Sequence, residues 1–151
     1  RYNAEIDDYI ETYELENYIH IGDYDHADIP RLEALSDVVI YTTIGHEPFG
    51  LVPVEGMSCG VPVVVTRSGG MVESVVDGET GFIISRDPQE LPQELADRLT
   101  QLLLDPELAE AMGQRGRRHA VEAFDKARMA QDFIELSRRL IRGRPITRQE
   151  T

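Results

Sequence analysis

Four short runs of apolar, mostly β-branched residues occur in the first 85 positions of the chain, each flanked by polar residues or glycine. None of them alternates cleanly between apolar and polar positions, as a strand with one solvated face would. Runs that are apolar on both faces are typical of parallel strands buried between helices. The predicted strands cover residues 18–22, 38–43, 61–66 and 81–85.

The segments around these runs are long enough for crossover helices, and most of them open beside proline or glycine and close at glycine. Strand and helix therefore alternate along this part of the chain. The predicted helices cover residues 5–13, 29–35, 52–58 and 71–76.

Beyond residue 85 the pattern is helical only. Asp105 before Pro106 predicts an N-cap followed by proline at the first helical position, and Asp125 predicts the cap of a last helix that ends near Gly143. Together with the segment that precedes Asp105, this makes three C-terminal helices. The first has leucines at helical spacing, Leu91, Leu95, Leu99, Leu102 and Leu103, and the last has an apolar stripe of Met129, Ala130, Phe133, Ile134, Leu136 and Leu140.

We predict an α/β fold with a Rossmann-like, doubly wound parallel sheet and C-terminal helices over residues 1–143, and a polar tail over 144–151. A helix at the start of such a fold is normally fed by a strand, and none precedes residue 5. The chain also begins at Arg1 rather than at methionine. We therefore expect a sheet that lacks its first strand, in a domain cut from a longer polypeptide.

The charge of the chain limits its partners. The sequence has 28 Asp and Glu against 15 Lys and Arg, a formal net charge of −13, which argues against binding nucleic acid or an anionic membrane. Lys126 is the single lysine. An acid-rich, lysine-poor surface is expected of a protein kept soluble in concentrated salt, and also of a GC-rich genome that favours arginine codons, so both explanations stay open.

The apolar runs are far shorter than the roughly 20 residues that span a bilayer, and we expect a cytoplasmic protein. The single cysteine, Cys59, cannot form an internal disulfide, which fits a reducing compartment. Because no histidine lies near it in sequence, we expect Cys59 to be a small buried residue rather than a nucleophile.

In open parallel sheets, ligands bind at the carboxyl ends of the strands, so the loop after the run 38–43 is the first candidate site. Gly50 would allow a ligand to approach the backbone, and the amides of Leu51, Val52 and Val54 would point out of the N-terminus of the following helix. Such an end binds phosphate. The same geometry also serves as a plain connection, and the residues alone do not decide between the two.

Two glutamates flank this helix N-terminus. Glu47 lies in the loop, and Glu55 lies about one turn inside the helix. A carboxylate near a helix N-terminus gains from the helix dipole, which would explain Glu55 without any ligand. The alternative is a sugar, whose vicinal hydroxyls would supply two hydrogen bonds to Glu55 at a largely apolar position.

A glycine pair, Gly69 and Gly70, follows the run 61–66 and again leads into a helix. Two adjacent strand ends would then converge on one cleft, although a plain strand-to-helix turn has the same sequence pattern. We assign no chemistry to the turn 77–81.

In these motifs the sequence resembles the C-terminal domain of family 4 of the retaining glycosyltransferases, which have the GT-B fold. The resemblance covers nearly the whole chain, and its segments occur in family order. They are 19–22 (IHIG), 35–39 (LSDVV), 47–55 (EPFGLVPVE), 56–64 (GMSCGVPVV), 68–70 (SGG) with Glu73, and 77–81 (DGETG), continued by 103–107 (LLDPE), Met112, Gly113 and the region of Phe124.

The resemblance implies a role for each part of the site. Glu47 would lie beside the donor sugar, holding its hydroxyls and stabilising positive charge at the anomeric centre. Glu55 would bind the ribose hydroxyls of the nucleotide. The backbone around Phe49, Gly50, Leu51 and Val52, together with Gly70, would line the sugar and diphosphate. The family usually needs no metal ion, so a nucleoside-diphosphate sugar is the expected substrate and no cofactor is expected.

The resemblance also implies what this chain lacks. The family usually carries an Arg and a Lys for the diphosphate just after the first strand of the domain, and an N-terminal domain that binds the acceptor and closes the cleft. We expect the isolated chain to be inactive without them, and any peripheral membrane contact to belong to that other domain. His46 and Cys59 receive no role.

Two other functions are compatible with an α/β chain of this length. A binding module of the same fold would hold a nucleotide without transferring sugar, but the presence of Glu47, Glu55 and Gly50 argues against it. A receiver or dehydrogenase domain predicts a phospho-accepting Asp at a strand end or an early glycine-rich loop, and the sequence contains neither. The sugar, the base, the acceptor and the oligomeric state do not follow from the sequence.

Overall fold

The computed structural model describes residues 2–18 and 25–142, which include one parallel three-stranded sheet with the strands in sequence order. The strands are β1 (Val39–Tyr41), β2 (Val63–Thr66) and β3 (Gly81–Ile84). The helices are α1 (Tyr2–Thr12), α2 (Ile29–Ala34), α3 (Leu51–Cys59), α4 (Met71–Ser74), α5 (Leu91–Leu104), α6 (Pro106–Phe124) and α7 (Lys126–Ile141). A single 3-10 turn, His26–Asp28, leads into α2.

The sheet is covered on both faces. All four residues of β2 are buried, as expected for a central parallel strand. Val63 and Val65 point to one face, where they pack in one cluster with Met57 of α3, Met71 of α4 and Ala120 of α6. Val64 points to the other face, where α5 and the start of α6 supply Leu91, Leu95, Leu99, Leu102 and Met112. The doubly wound α/β class predicted from the sequence is confirmed.

The predicted caps form as expected. Asp105 Oδ1 accepts a hydrogen bond of 3.0 Å from the amide of Leu108, and Pro106 occupies the first position of α6. Asp125 Oδ1 accepts bonds from the amides of Ala127 and Arg128 at the start of α7. These side chains satisfy amides that a helix leaves without partners in its first turn, which places the boundaries between the C-terminal helices.

The observed strands are shorter than the predicted ones. The run 38–43 forms a strand only at Val39–Tyr41, because the amide of Thr43 donates to the Oγ1 of Thr66 instead of to a backbone carbonyl. The runs 61–66 and 81–85 become Val63–Thr66 and Gly81–Ile84. In the predicted strand 18–22, residues 19–22 lie outside the described residues, as do Gly143 and the tail 144–151.

Leu103 in α5 and the apolar stripe of α7 do not pack as their spacing suggested. Leu103 is 56% exposed, whereas Leu91, Leu95, Leu99 and Leu102 face the core. In α7 the predicted apolar stripe forms one face of the helix, but its side chains are exposed, with Phe133 at 69%. Helix spacing identifies a common face and cannot identify what covers it, since covering depends on residues far away in sequence.

Candidate functional site

The loop between β1 and α3, residues 42–50, is tied to the carboxyl end of β2. Thr66, the last residue of β2, accepts a hydrogen bond from the amide of Thr43 through Oγ1 and donates one to the carbonyl of Thr43, both at 2.9 Å. Ser68 also links the two loops. Its Oγ accepts a hydrogen bond from the amide of Glu47 at 3.2 Å and donates one to the carbonyl of Gly45 at 2.7 Å. The two loops that the sequence placed at adjacent strand ends are therefore joined.

Gly69 and Gly70 complete this junction because neither has room for a side chain. A methyl group on Gly69 would overlap the carbonyl oxygen of Glu47, and one on Gly70 would lie 2.6 Å from the Cα of Phe49. The amide of Gly70 donates to the carbonyl of Glu47 at 3.1 Å. The structure therefore places Gly70 against the backbone of the Glu47 loop, which it helps to position, and its contact with a donor stays a prediction.

The carboxylate of Glu47 has three hydrogen-bond donors around it. Its Oε2 accepts from the hydroxyl of Tyr41 at 2.9 Å. Its Oε1 accepts from the amides of Gly50 at 3.0 Å and Phe49 at 3.4 Å. These bonds favour the charged form, the one from Tyr41 most strongly, and they lower the pKa of Glu47 below its ordinary value. Glu47 is therefore an oriented anion at the carboxyl end of β1.

The N-terminus of α3 presents backbone amides beside this anion. Gly50, the residue that precedes the helix, has φ 84°, and its left-handed backbone turns the loop into the first helical residue. In residues 2–18 and 25–142, the first-turn amides of Leu51 and Val52 make no hydrogen bond to groups outside α3. Val54, predicted to join them, is the fourth residue of the helix, where an amide pairs with the turn before it. By contrast, the amides of Phe49 and Gly50 already donate to Glu47. Sequence reasoning had not separated these two sets of amides.

The ring of Phe49 stands at the edge of the same site. It is 43% exposed and meets the ring of Phe124, at the end of α6, edge to face with the centroids 5.8 Å apart. His119 contacts Phe124 in the same manner, and its Nε2 lies 3.2 Å from the carbonyl oxygen of Ser74. The C-terminal end of α6 therefore packs against the loop between β1 and α3 through the contact of Phe124 with Phe49.

Glu55 faces a separate cavity of about 470 Å³ between α2, α3 and α6. Its side chain is half-buried, and within the described part of the chain its carboxylate accepts no hydrogen bond. The other lining residues are mostly apolar or polar and uncharged, with Arg117 as a cation and Glu33 as a second acid. Glu47 does not line this cavity, so the two glutamates face different spaces on either side of the start of α3.

Cys59 and Glu33 meet in this cavity. Cys59 is half-buried, and not buried as predicted, because the end of α3 turns its thiol toward the cavity. Its Sγ lies 3.6 Å from both the carboxylate of Glu33 and the carbonyl of Pro30. Glu33 is only 9% exposed, and burial raises the pKa of its carboxyl group. Burial likewise raises the pKa of the Cys59 thiol, which makes it a poor nucleophile.

The sequence analysis assigned no role to Tyr41, Glu33 or Ser68. Tyr41 carried a usable signal, since it is the residue with a polar tip at the carboxyl end of an apolar run, where ligand sites form. Ser68 stands beside the recognised glycine pair. Nothing in the sequence around Glu33 separated it from a solvated acid on the surface of a helix.

The described residues contain neither a metal-binding cluster nor a membrane-spanning helix. Across 2–18 and 25–142 there is no group of three or more His, Cys, Asp or Glu that could hold a metal ion. Within the same ranges no helix is both long and apolar enough to cross a membrane. The expectation of metal-free chemistry stays a prediction.

Residues 1–119 match the model of the family described as glycosyl transferases group 1. The chain belongs to this family. It is 34% identical over 109 residues to spore coat protein SA of Bacillus subtilis, and these residues make up 72% of this chain and 28% of that protein. It is 35% identical over 106 residues to the N-acetyl-alpha-D-glucosaminyl L-malate synthase of Bacillus anthracis, covering 70% and 27% of the two proteins.

Solved structures agree with this assignment. HepE of Anabaena in complex with UDP and glucose superposes on 89% of the chain with a TM-score of 0.81 and 34% identity, and 36% of that protein is covered. The C-terminal domain of a group 1 family glycosyl transferase of Francisella tularensis superposes with a TM-score of 0.73 and 27% identity, covering 83% of this chain and 63% of that one. The group 1 chain is thus a partial, C-terminal-type domain of a GT-B glycosyltransferase fold, and it spans only about a quarter of the length of the curated relatives it matches.

Proposed function

We propose that this chain is the donor-binding domain of a retaining glycosyltransferase, which transfers a sugar from a nucleoside-diphosphate sugar to an acceptor held by an upstream domain. The observation that carries the proposal is the N-terminus of α3, where the first-turn amides of Leu51 and Val52 lie beside the anionic carboxylate of Glu47 and, among the described residues, donate to no group outside the helix. The family match and the UDP and glucose bound by HepE of Anabaena support it.

In this proposal the diphosphate of the donor binds the free amides at the start of α3. Amides and helix dipole together favour an anion there. Such a fixed local field is needed because the net charge of −13 repels a diphosphate at longer range. Cations from an upstream segment would add to it, and we expect the isolated chain to bind the donor more weakly than the complete protein does.

The nucleoside would occupy the cavity beside Glu55. At about 470 Å³ the space is large enough for a small ligand, and its mixture of apolar wall and few charged groups is typical of such sites. The carboxylate of Glu55 has no hydrogen-bond donor among the described residues. The 2′- and 3′-hydroxyls of ribose would supply two.

Glu47 would act on the sugar as an anion and not as a nucleophile. Its carboxylate already accepts hydrogen bonds from three donors, and such bonds lower the basicity of a carboxylate. In the proposed step, the bond between the anomeric carbon and the diphosphate oxygen breaks with its electron pair leaving on the diphosphate. The acceptor oxygen bonds to the same face of that carbon, and its proton passes to a phosphate oxygen. The protein supplies orientation and stabilises the charge that develops.

The test uses the complete parent protein and two variants, with donor binding measured by calorimetry and turnover measured separately. We expect Glu55→Ala to weaken binding of the nucleoside diphosphate about tenfold, the effect of losing a hydrogen-bonded charged group. Glu47→Ala should instead lower kcat and leave nucleotide affinity within about threefold of the wild type. Titration with UDP, GDP and ADP identifies the base.

Glu122→Ala is the matched control, because Glu122 is an exposed glutamate on α6. It should change neither quantity. If Glu47→Ala and Glu55→Ala both keep wild-type transfer kinetics, the proposed site is wrong. If the parent protein binds a nucleoside diphosphate but transfers no sugar from it, the chain is a binding module.

A further inference from the structure

Tyr41, at the end of strand β1, donates a hydrogen bond from its hydroxyl to the carboxylate of Glu47. It is the last residue of β1, and it pairs in register with Val65 of the central strand. Its ring packs against the core cluster of Val54, Met57 and Val65, so the hydroxyl is carried by a rigid element. Glu47 lies on a loop, and a loop carboxylate keeps one rotamer only when other groups hold it.

The chemistry of this pair has a defined direction. An ionised carboxylate can only accept, so the Tyr41 hydroxyl donates along the 2.9 Å contact to Oε2. The pKa of Glu47 is lowered, and the pKa of Tyr41 is raised, with this bond as the largest cause of both. The two directions agree with one charge-assisted hydrogen bond.

The two oxygens of the Glu47 carboxylate accept from different donors. Oε1 is held by the loop's own amides, from Phe49 and Gly50, and these bonds belong to the start of α3. Oε2 receives one bond from Tyr41 and has further acceptor capacity. Without Tyr41, the Oε2 side of the group would have no side-chain donor among the described residues.

We propose that Tyr41 is a positioning residue for Glu47, whose hydroxyl keeps the carboxylate in a single orientation and in its charged form, facing the donor sugar. This inference rests on the function proposed above, since it assigns Tyr41 to the same reaction. It also explains why the anion would stabilise positive charge and not attack the anomeric carbon, because a carboxylate that accepts a bond on each oxygen is a weak nucleophile.

The titration of Glu47 depends on few other groups. His46, its neighbour in the loop, favours the anion when it is positively charged. The facing segment Ser68–Gly70 contributes a hydroxyl and backbone amides but no charge. The effect of Tyr41 on the carboxylate is therefore separable from that of His46 by repeating each measurement in a His46→Gln background.

The experiment compares Tyr41→Phe with the wild type in the complete parent protein. Phenylalanine keeps the partly buried ring against the core cluster and removes only the hydroxyl. We expect kcat to fall about tenfold, as for the loss of one hydrogen bond to a charged group, with nucleotide affinity unchanged. The acid limb of the pH profile of kcat should move to higher pH, because Glu47 then needs a higher pH to ionise. Tyr9→Phe, which removes an exposed hydroxyl on α1, is the matched control and should show neither effect.

Two further measurements separate positioning from a general structural effect. In a Glu47→Ala background, Tyr41→Phe should lower kcat less than twofold, because the hydroxyl has lost the group it acts through. Carbon-13 NMR of the Glu47 carboxyl group should show its pKa rising in Tyr41→Phe, whether or not any sugar is transferred. An equal loss of kcat in both backgrounds, or an unchanged carboxyl titration, would overturn the inference. A shifted titration in a protein without transferase activity would overturn the proposed function alone.

Discussion

Gly69→Ala is the sharpest perturbation of the junction between the two loops. Gly69 has φ 47°, in the left-handed region, and a methyl group there would overlap the carbonyl oxygen of Glu47. The Glu47 loop must then move away from Ser68 and Gly70, with loss of the hydrogen bonds from the Glu47 amide to the Ser68 hydroxyl and from the Gly70 amide to the Glu47 carbonyl.

The cost has two parts. A left-handed backbone costs an ordinary residue roughly 1–2 kcal/mol relative to glycine. Each lost hydrogen bond adds about 1 kcal/mol. We therefore expect the free energy of unfolding to fall by about 3 kcal/mol, which lowers the melting temperature by roughly 10 °C in a domain of this size.

Gly78→Ala measures the backbone cost without the loss of hydrogen bonds. Gly78 also has a left-handed backbone, with φ 74°, but nothing lies within 4 Å of the position its methyl group would take. Its substitution should cost only about 1 kcal/mol, the backbone part. Both variants are measured by urea unfolding of the 151-residue chain, followed by circular dichroism. Equal losses for the two variants would refute the close apposition of the Glu47 loop and the Ser68–Gly70 segment.

Two further predictions concern charge. Burial raises the pKa of Glu33 in the folded protein above its ordinary value of 4.5, so the folded state favours the protonated form and stability falls as the pH rises above that value. Glu33→Gln should therefore melt at a higher temperature than the wild type at pH 7, with a difference that closes near pH 4; a constant difference would contradict a buried, titrating Glu33. If the acid-rich composition is an adaptation to concentrated salt, the melting temperature should rise steadily from dilute to molar potassium chloride, and a flat or falling series would favour codon usage as the cause.

The alternation of strand and helix and the helix caps were predictable from local sequence, because they depend on residues close together in the chain. Asp105, Pro106 and Asp125 act within one turn of their own helices. The uniformly apolar run that became β2 was recognisable because a central parallel strand is buried on both faces. The motif from Glu47 to Glu55 likewise pointed to the candidate site, since it spans the end of the loop after β1 and the start of the helix that follows.

Tertiary structure alone decided how the site is held. The Glu47 loop is joined to Thr66 and Ser68 over more than 20 residues of chain, and Tyr41 reaches Glu47 because β1 ends where the loop folds back. Glu33 became a buried acid only because α2 packs against α3 beside Cys59. Local patterns specify the conformation of a segment, whereas these contacts depend on the distances between segments, and the packing of the sheet and helices sets those distances.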